Sequence, residues 1–272
     1  MATETSMRPR ALVTGASSGI GAAFAERLAR DQYDVIVVAR RHERLEALAQ
    51  RLHENHHVTV QVMVADLTQR DQLHAVEQRI AEDTALELLV NNAGFGGYMP
   101  FVKLDPDRAE ELINLQVVVV TRLTRAALPG MIARGHGAII NVSSRLAFSA
   151  ALSTPTMPKR ATYAATKAYV NTFTQLLHDE LVGTDVRVQA LCPGVVRTEF
   201  HERMGQDPNR IPAAIVMSPE DIVEASLAGL KLGEVICVPA LDDPNLFMQI
   251  QQDERQLWEH SNGNTIANRY RP

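Results

Sequence analysis

Tyr163 and Lys167 stand four positions apart in a stretch whose composition favours a helix. Side chains at that spacing lie on one face of an α-helix, so a phenol and an ammonium can act on the same substrate. A free phenol titrates near pH ~10, and a cation beside it favours the phenolate. The pair therefore predicts a tyrosine that gives and takes a proton near neutral pH, with its pKa lowered by the lysine. The alternative is an exposed lysine beside a packed ring.

The elements that must position this pair begin with a strand that runs into a glycine-rich turn. Residues 10–14 (RALVT) have the pattern of a buried strand, the sequence GASSGIG follows, and an amphipathic helix is predicted from Ile20 to Arg30. Glycine permits a tight turn and a close backbone approach, and the amino end of a helix attracts anions. In this order the features predict a phosphate-binding site rather than a purely structural turn. Its candidate contacts are Gly15, Ser17, Ser18, Gly19, Ile20 and Gly21.

The second predicted strand, Asp34–Ala39, ends without the acidic residue that would bind the ribose hydroxyls of NAD, and Arg40 and Arg41 follow it. A carboxylate at Ala39 would repel a 2′-phosphate, whereas a guanidinium can hold one through paired hydrogen bonds. These residues therefore favour NADP. The alternative is that both arginines merely begin the solvated helix predicted over 42–54.

Two more strands are predicted to end at the same edge. The strand over 58–64 is closed by Asp66, which could meet the adenine end of a cofactor or cap a helix that begins near Thr68. The strand over 86–90 delivers Asn91-Asn92-Ala93-Gly94, which are small and polar residues suited to contact a bound ring.

Strands and helices continue to alternate along the chain. A long helix is predicted from Pro106 to about Arg134, followed by a strand over 137–142 that ends in Ser143-Ser144 and an irregular loop over 145–161. Next come a helix from Thr162 to about Val182 and a strand over 186–191 that leads into Pro193-Gly194. The last predicted elements are a helix capped by Ser218 that ends near Gly233, a strand over 234–238 and a helix over 249–258. Such alternation predicts parallel strands joined by crossovers, with ligands at their carboxyl ends. The long helix is apolar on several faces, which favours burial against the sheet or a partner subunit and hence a homo-oligomer.

Composition excludes several classes of function. The 272 residues are 46% hydrophobic, enough for a sizeable core, and carry a formal net charge of −5 without runs of one sign. This balance argues against nucleic acid or membrane partners and favours small molecules. Cys192 and Cys237 are too isolated for a disulfide framework or a zinc site, so we expect buried free thiols and no metal. The absence of a signal-like start or a bilayer-length apolar run predicts a soluble cytoplasmic protein.

Five motifs occur in one order along the chain: Thr14–Gly21, Asn91–Gly94, Ser144, the Tyr163 and Lys167 pair, and Pro193-Gly194. Through them the chain resembles the short-chain dehydrogenase/reductase family over roughly residues 8–240. The resemblance implies a single-domain, Rossmann-type α/β fold with a doubly wound parallel sheet of about seven strands. We expect a disordered tail at 1–7, a catalytic domain at 8–241 and a C-terminal extension at 242–272. The resemblance also implies a homodimer or homotetramer and NADPH-dependent reduction of a carbonyl to an alcohol.

The roles implied by the resemblance fall on individual residues. Tyr163 would donate the proton to the carbonyl oxygen, and Lys167 would lower its pKa and bind the nicotinamide ribose. Ser144 would hold the substrate oxygen, although a serine that caps a strand end is the alternative. The remaining cofactor contacts would be Asp66, Leu67, Asn92, Ala93, Gly94, Pro193, Gly194, Val196 and Thr198.

The sequence departs from the family pattern at Gln116. The family usually has an asparagine at this place, thirteen residues before the proline that here is Pro129, where it joins a water-mediated proton relay to the lysine. Asn114 would lie roughly 200° away around a regular helix and could not substitute for it. Glutamine has the same amide on a longer stem, so we expect a relay that works, though more slowly.

The second departure is a longer segment between Ser144 and Tyr163, in which residues 154–159 are the predicted insertion at a pocket rim. Such an insertion should alter substrate choice rather than chemistry. The candidate pocket residues are Phe95, Tyr98, Met99, Leu146, Phe148, Phe200 and Met204, which favour a substrate with hydrophobic bulk. The rival hypothesis is a cofactor-binding regulator or scaffold without turnover, for which Gln116 is the supporting feature.

Overall fold

The computed structural model describes residues 8–152, 154, 157–202, 207 and 211–271, except for the side chains of 201 and 202. The predicted tail at 1–7, the candidate pocket residue Met204 and part of the predicted insertion lie outside the described residues. Internal contacts divide the chain into two units, Met1–Pro239 and Ala240–Pro272.

The first unit is built on a parallel sheet. In the described residues the strands are β1 Arg10–Thr14, β2 Asp34–Ala39, β3 Val60–Val64, β4 Leu86–Asn91, β5 Gly137–Val142, β6 Val186–Leu191, β7 Val195–Val196, β8 Val216–Met217 and β9 Ile236–Cys237. Seven of them pair in the order β3-β2-β1-β4-β5-β6-β9, and β7 pairs with β8 in a separate parallel ladder. The predicted Rossmann-type, doubly wound fold is therefore confirmed. Strand order reverses between β1 and β4, and this reversal leaves a crevice at the carboxyl ends of the strands.

Helices cover both faces of this sheet. Their bounds are α1 Gly19–Arg30, α2 His42–His56, α3 Arg70–Ala81, α4 Pro106–Ile113, α5 Val119–Arg134, α6 Ala161–Glu180, α7 Glu199–Glu202 and α8 Pro219–Leu232. Alternate residues of a strand point to opposite faces, so Val35 and Val37 of β2 join one core while Ile36 and Val38 join the other. The first core includes residues of α1, α2 and α8, and the second includes residues of α3, α5 and α6.

The long helix predicted from Pro106 to Arg134 contains an irregular turn. A π-helical segment, Asn114–Val118, separates α4 from α5. A π-turn holds more residues than an α-turn, so the 200° offset expected for Asn114 in a regular helix does not apply here. Gln116 lies in this segment and is 1% exposed.

By length and composition alone, the continuous helical stretch Pro106–Arg134 could cross a membrane, contrary to the prediction of no apolar run of bilayer length. Its most apolar window is 39% buried inside the protein. Leu123, Ala127 and Met131 belong to the core beside the sheet. Core helices of soluble proteins have the same composition, so this stretch is weak evidence for a membrane span.

One predicted helix cap is confirmed and another is wrong. The Ser218 hydroxyl accepts a hydrogen bond from the Asp221 amide at 3.0 Å and caps the start of α8, and Gly233, with a φ of 81°, follows the end of this helix at Leu232. Asp66, in contrast, does not cap α3, which begins at Arg70. Its carboxylate accepts from the amide and the hydroxyl of Thr68 at 3.0 and 2.8 Å, a local turn that competes with helix formation.

Cys192 and Cys237 are free and buried, as the sequence predicted. Burial raises the pKa of each thiol to about 12. A buried thiol with a raised pKa is a poor nucleophile, so both residues act as small apolar side chains.

The second unit contains helix α9, Asn245–His260, and a short helical turn at Asn268–Tyr270. The helix predicted over 249–258 is therefore present and extends further in both directions.

Candidate active site

A cavity of about 950 Å³ opens at the carboxyl ends of the strands. Its walls come from the segments that follow β1, β2, β4, β5 and β6, together with the start of α6. These are the places where the sequence predicted ligand contacts, and the fold brings them together from positions more than a hundred residues apart.

Most of the predicted site residues line this cavity. They are Gly15, Ser17, Ser18, Gly19, Ile20, Arg40, Arg41, Asp66, Leu67, Asn92, Ala93, Gly94, Phe95, Tyr98, Gln116, Ser144, Leu146, Tyr163, Lys167, Pro193, Gly194, Val196, Thr198 and Phe200. Gly21, Phe148 and Met99 are not among the lining residues. Gly21 serves packing instead, because a Cβ there would come within 2.5 Å of the Asn92 side chain.

The glycine-rich turn has the geometry of an anion cradle. Gly15 adopts a φ of 68°, and a Cβ there would meet Asn92 and Ala93 at 2.8 and 2.9 Å. No side chain of the described residues caps the start of α1, so its first amides stay available to an anion. The side-chain amide of Asn92 donates to the Thr14 carbonyl at 2.9 Å. This hydrogen bond fixes the turn and uses a donor of the Asn92 amide.

Two arginines extend the cradle on the side of β2. The Arg41 guanidinium donates to the hydroxyls of Ser17 and Ser18 and lies 2.9 Å from Glu199. Arg40 is more exposed, and its guanidinium lies 3.7 Å from Asp66. Burial opposes the charge of Asp66, but hydrogen bonds from Thr68 and the charge of Arg40 together hold the pKa of this carboxyl below its usual value. A phosphate at this edge would meet two guanidinium groups.

Tyr163 belongs to the first turn of α6 and lines the same cavity. Tyr163, Ser144 and Lys167 are 5%, 6% and 6% exposed, so all three are shielded from water. The hydroxyls of Ser144 and Tyr98 lie close enough to the Tyr163 phenol to influence its pKa. Lys167 follows one turn later, as its spacing predicted, and its ammonium donates to the Val142 carbonyl at 2.9 Å.

The predicted lowering of the Tyr163 pKa is wrong for the site as it stands. Burial raises the pKa of Tyr163 to about 12, and the hydrogen bonds from Ser144 and Tyr98 offset only part of that effect. The Lys167 ammonium lies 5.7 Å from the centre of the ring and is directed at Val142. Burial also lowers the pKa of Lys167 to about 8, which weakens its hold on the proton.

The two adjacent serines have different contacts. The Ser143 hydroxyl donates to the Lys167 carbonyl at 3.0 Å and so joins β5 to α6. Ser144 begins a short 3₁₀ helix, Arg145–Phe148, by accepting from the Leu146 amide at 3.2 Å. Ser144 thus caps a turn that follows β5, and its predicted role in holding the substrate oxygen stays a prediction.

The Gln116 amide makes one hydrogen bond through its nitrogen and one through its oxygen. Its nitrogen donates to the Phe95 carbonyl at 2.6 Å, and its oxygen accepts from the Thr166 hydroxyl at 2.8 Å. Thr166 in turn bonds the Tyr163 carbonyl at 2.8 Å. Gln116 therefore supports the first turn of α6, and its participation in a proton relay stays a prediction.

Sequence reasoning missed several residues of the site. Arg108 lies 3.5 Å above the centre of the Phe95 ring, and Arg145 follows Ser144 directly. The lining also includes Leu115, Met157, Pro158, Ile211, Pro212 and Ile215. A charged residue next to a candidate catalytic serine was a usable signal, whereas the apolar residues come from irregular segments without periodicity.

Most of the chain matches a known protein family. The model of the short chain dehydrogenase family matches residues 9–209. Hydroxysteroid dehydrogenase-like protein 1 of Gallus gallus is 35% identical over 193 residues, which are 70% of this chain and 56% of the relative. The chain thus spans little more than half the length of that relative.

Two solved structures are similar over nearly the whole chain. A short-chain dehydrogenase from Sphingobium yanoikuyae in complex with NADPH has a TM-score of 0.91 and 38% identity, covering 97% of this chain and 100% of that one. The bulky-bulky ketone specific alcohol dehydrogenase from Comamonas testosteroni has a TM-score of 0.87 and 36% identity, covering 97% and 99%. With a fold, a cavity and a family match in agreement, the chain belongs to the short chain dehydrogenase family of oxidoreductases.

Proposed function

We propose that this protein reduces a ketone or aldehyde to an alcohol with NADPH, and that the reaction is reversible. The observation that carries the proposal is the buried Tyr163 phenol, which contacts the Ser144 hydroxyl inside a cavity large enough for a dinucleotide and a substrate.

The residues around the glycine-rich turn fit the cofactor. The free amides at the start of α1 and the hydroxyls of Ser17 and Ser18 would hold its phosphates. Arg40 and Arg41 would hold the 2′-phosphate that distinguishes NADPH from NADH. The Sphingobium relative binds NADPH, which supports the same choice. Bound NADPH supplies the hydride.

The remaining steps belong to side chains of the chain itself. Ser144 would donate a hydrogen bond to the substrate oxygen and stabilise the negative charge that develops there. Tyr163, whose pKa of about 12 keeps it protonated at neutral pH, would give its proton to that oxygen. Lys167 would hold the cofactor ribose and stabilise the phenolate that results, because a nearby cation favours the charged form.

The substrate is proposed to carry hydrophobic bulk. Tyr98, Tyr163 and Phe200 form a cluster in which Tyr98 and Tyr163 meet edge to face with ring centres 5.1 Å apart. Leu146 and Ile215 continue the apolar wall. The Comamonas relative is described as specific for bulky-bulky ketones, which supports a similar preference here.

The test is turnover of NADPH with a panel of aryl ketones, aldehydes and β-keto esters, followed by loss of the reduced nicotinamide absorbance. Tyr163→Phe should lower kcat by at least about 100-fold, because general acid catalysis contributes that much, while NADPH binding persists. Unchanged reduction by this variant would contradict the proposal.

A regulator or scaffold without turnover is the second candidate. The bonds of Gln116 to Phe95 and Thr166 favour it, because they commit one donor and one acceptor of this amide to neighbours in the protein. NADPH binding with no turnover on the whole panel would support the regulator.

We also propose a homo-oligomer. Tyr169 and Leu176 lie on one face of α6, seven residues apart, and are 38% and 58% exposed. Exposed Ile113 and Val118 lie on the neighbouring helical stretch. Apolar surface on adjacent helices is typical of a subunit interface.

A further inference from the structure

Among the described residues, five cationic side chains line the cavity, and four of these have a partner in the same part of the chain. Arg40 faces Asp66, Arg41 binds Glu199, Arg108 binds Glu111 and Lys167 binds the Val142 carbonyl. The fifth is Arg145, which is exposed and whose guanidinium has no hydrogen bond or ion pair with any described residue.

Arg145 lies at the substrate end of the cavity. Its amide donates to the Pro193 carbonyl at 3.0 Å, which ties the start of the 3₁₀ helix to the Pro193-Gly194 turn. A Cβ at Gly194 would lie 3.6 Å from Arg145 Cδ and 3.7 Å from Nε. The side chain therefore runs along this turn.

The charge of Arg145 also acts on Tyr98. Burial and the neighbouring Tyr163 raise the pKa of Tyr98, and the positive charge of Arg145 acts in the opposite direction. Arg145 is thus close to Tyr98, whose ring meets that of Tyr163 edge to face where a substrate would bind. The cofactor phosphates belong at the other end, where Ser17, Ser18 and Arg41 line the cavity.

We propose that Arg145 is an anion subsite, and that the natural substrate is a keto acid whose carboxylate binds this guanidinium while its other arm packs against the apolar wall. A guanidinium holds a carboxylate through two parallel hydrogen bonds, which fixes orientation as well as affinity. Such a contact would choose which face of the carbonyl receives the hydride. The inference rests on the proposed function, since it names the substrate class of the same site.

The experiment compares aryl keto acids that differ in the number of methylene groups between carbonyl and carboxylate, each with its methyl ester. Arg145→Gln should lower kcat/KM for the best keto acid by about 10- to 100-fold, mainly through KM, because a hydrogen bond to a charged group contributes that much. The ester should change by less than about twofold, and NADPH affinity should not change. Arg145→Lys should restore part of the preference because it keeps the charge.

Arg187→Gln is the matched control. Arg187 is an exposed arginine at the amino end of β6, away from the cavity, and should not alter the preference for acid over ester. An acid-to-ester ratio that Arg145→Gln leaves unchanged would overturn the proposal.

Calorimetry of keto acid binding to the NADPH-loaded protein separates this inference from the proposed function. Binding that weakens in Arg145→Gln, without turnover of any acid or ester, would reject the reductase and support the subsite. Turnover of esters with no dependence on Arg145 in either measurement would support the reductase and reject the subsite.

Discussion

At the scale of single residues, the site combines groups whose burial shifts their protonation in opposite directions. Burial raises the pKa of Tyr163 to about 12 and lowers that of Lys167 to about 8. Loss of water disfavours the charged form in both cases, which is a phenolate for one and an ammonium for the other. In the free protein the Tyr163 phenol is therefore protonated, and formation of its phenolate requires additional stabilisation.

Lys167 should make the fold less stable than it could be. Its pKa falls from 10.5 in the unfolded chain to about 8, so the cost of burying the ammonium is complete below pH about 8 and disappears as pH rises towards 10.5. Lys167→Met should therefore increase the free energy of unfolding by about 1–2 kcal/mol near pH 7, after the loss of the bond to Val142 is included. Urea unfolding checks this.

The gain should shrink between pH 8 and 10. Burial raises the pKa values of Tyr163 and Cys192, so these groups change the free energy of unfolding with pH in the opposite direction. Both residues are present in wild type and in Lys167→Met, so their contributions cancel when the two proteins are compared. A variant less stable than wild type near neutral pH, or a gain independent of pH, would contradict the expected burial cost.

Ala39→Asp should shift cofactor preference towards NADH. The new carboxylate would stand at the end of β2 beside Arg40, where it would repel a 2′-phosphate and could bind ribose hydroxyls. The ratio of kcat/KM for NADPH to that for NADH should fall by about 10-fold or more. An unchanged ratio would mean that Arg40 is only a surface residue; Arg51→Gln, on the exposed side of α2 and outside the cavity lining, is the control.

At the scale of elements, the loop between β5 and α6 is organised by one side chain. Arg160 donates to the Ser149 hydroxyl at 2.7 Å and to the carbonyls of Ser149, Leu152 and Pro158 at 2.7, 2.9 and 3.0 Å. Four such bonds from one guanidinium hold a segment that has little secondary structure of its own.

Arg160→Met should loosen this loop and raise KM for ketones several-fold, with kcat for a saturating substrate changed less. Unfolding should become easier by about 1–3 kcal/mol, the cost of leaving a buried carbonyl or hydroxyl unpaired. Hydrogen exchange of the amides at 149–152 should increase. Equal protection in variant and wild type would show that the loop is held by other contacts.

The π-helical segment gives a second test at this scale. Asparagine at 116 is one methylene shorter, so it should not reach both the Phe95 carbonyl and the Thr166 hydroxyl. Gln116→Asn should cost about 1–2 kcal/mol of stability. We expect turnover near or above that of the wild type if position 116 acts in a relay.

Gln116→Glu is the control, because it keeps the length and the bond from Thr166 but cannot donate to Phe95. Loss of activity in Gln116→Asn with retained cofactor binding would contradict a simple relay role.

Much of this architecture was predictable because the strands of a parallel sheet are buried on both faces and therefore occur in the sequence as runs of hydrophobic residues. β2, β5 and β6 have the bounds that the sequence predicted, and the motifs at their ends meet as expected. The π-turn, the β7–β8 ladder and the local turn at Asp66 were not predictable, since each depends on contacts between distant or competing polar groups. The pKa of Tyr163 was mispredicted because spacing reveals a neighbour but not the loss of water.

At the scale of the whole molecule, the exposed apolar face on α6 predicts association. Wild-type protein should have the mass of a dimer or tetramer in light scattering, and Leu176→Glu should shift it to a smaller species, because the substitution puts like charges into an apolar contact. Leu232→Glu, at the exposed end of α8, should have no such effect. A wild-type monomer would contradict the proposed oligomer.

The reversal of strand order between β1 and β4 has a consequence for how such an enzyme can change. Segments after β1 and β2 build the half of the crevice that contains the arginine pair, while those after β4, β5 and β6 build the half that contains the phenols and Arg145. Selection can thus change the preference between the two dinucleotides without disturbing the range of molecules reduced, because the arginine pair lies apart from the phenols and Arg145.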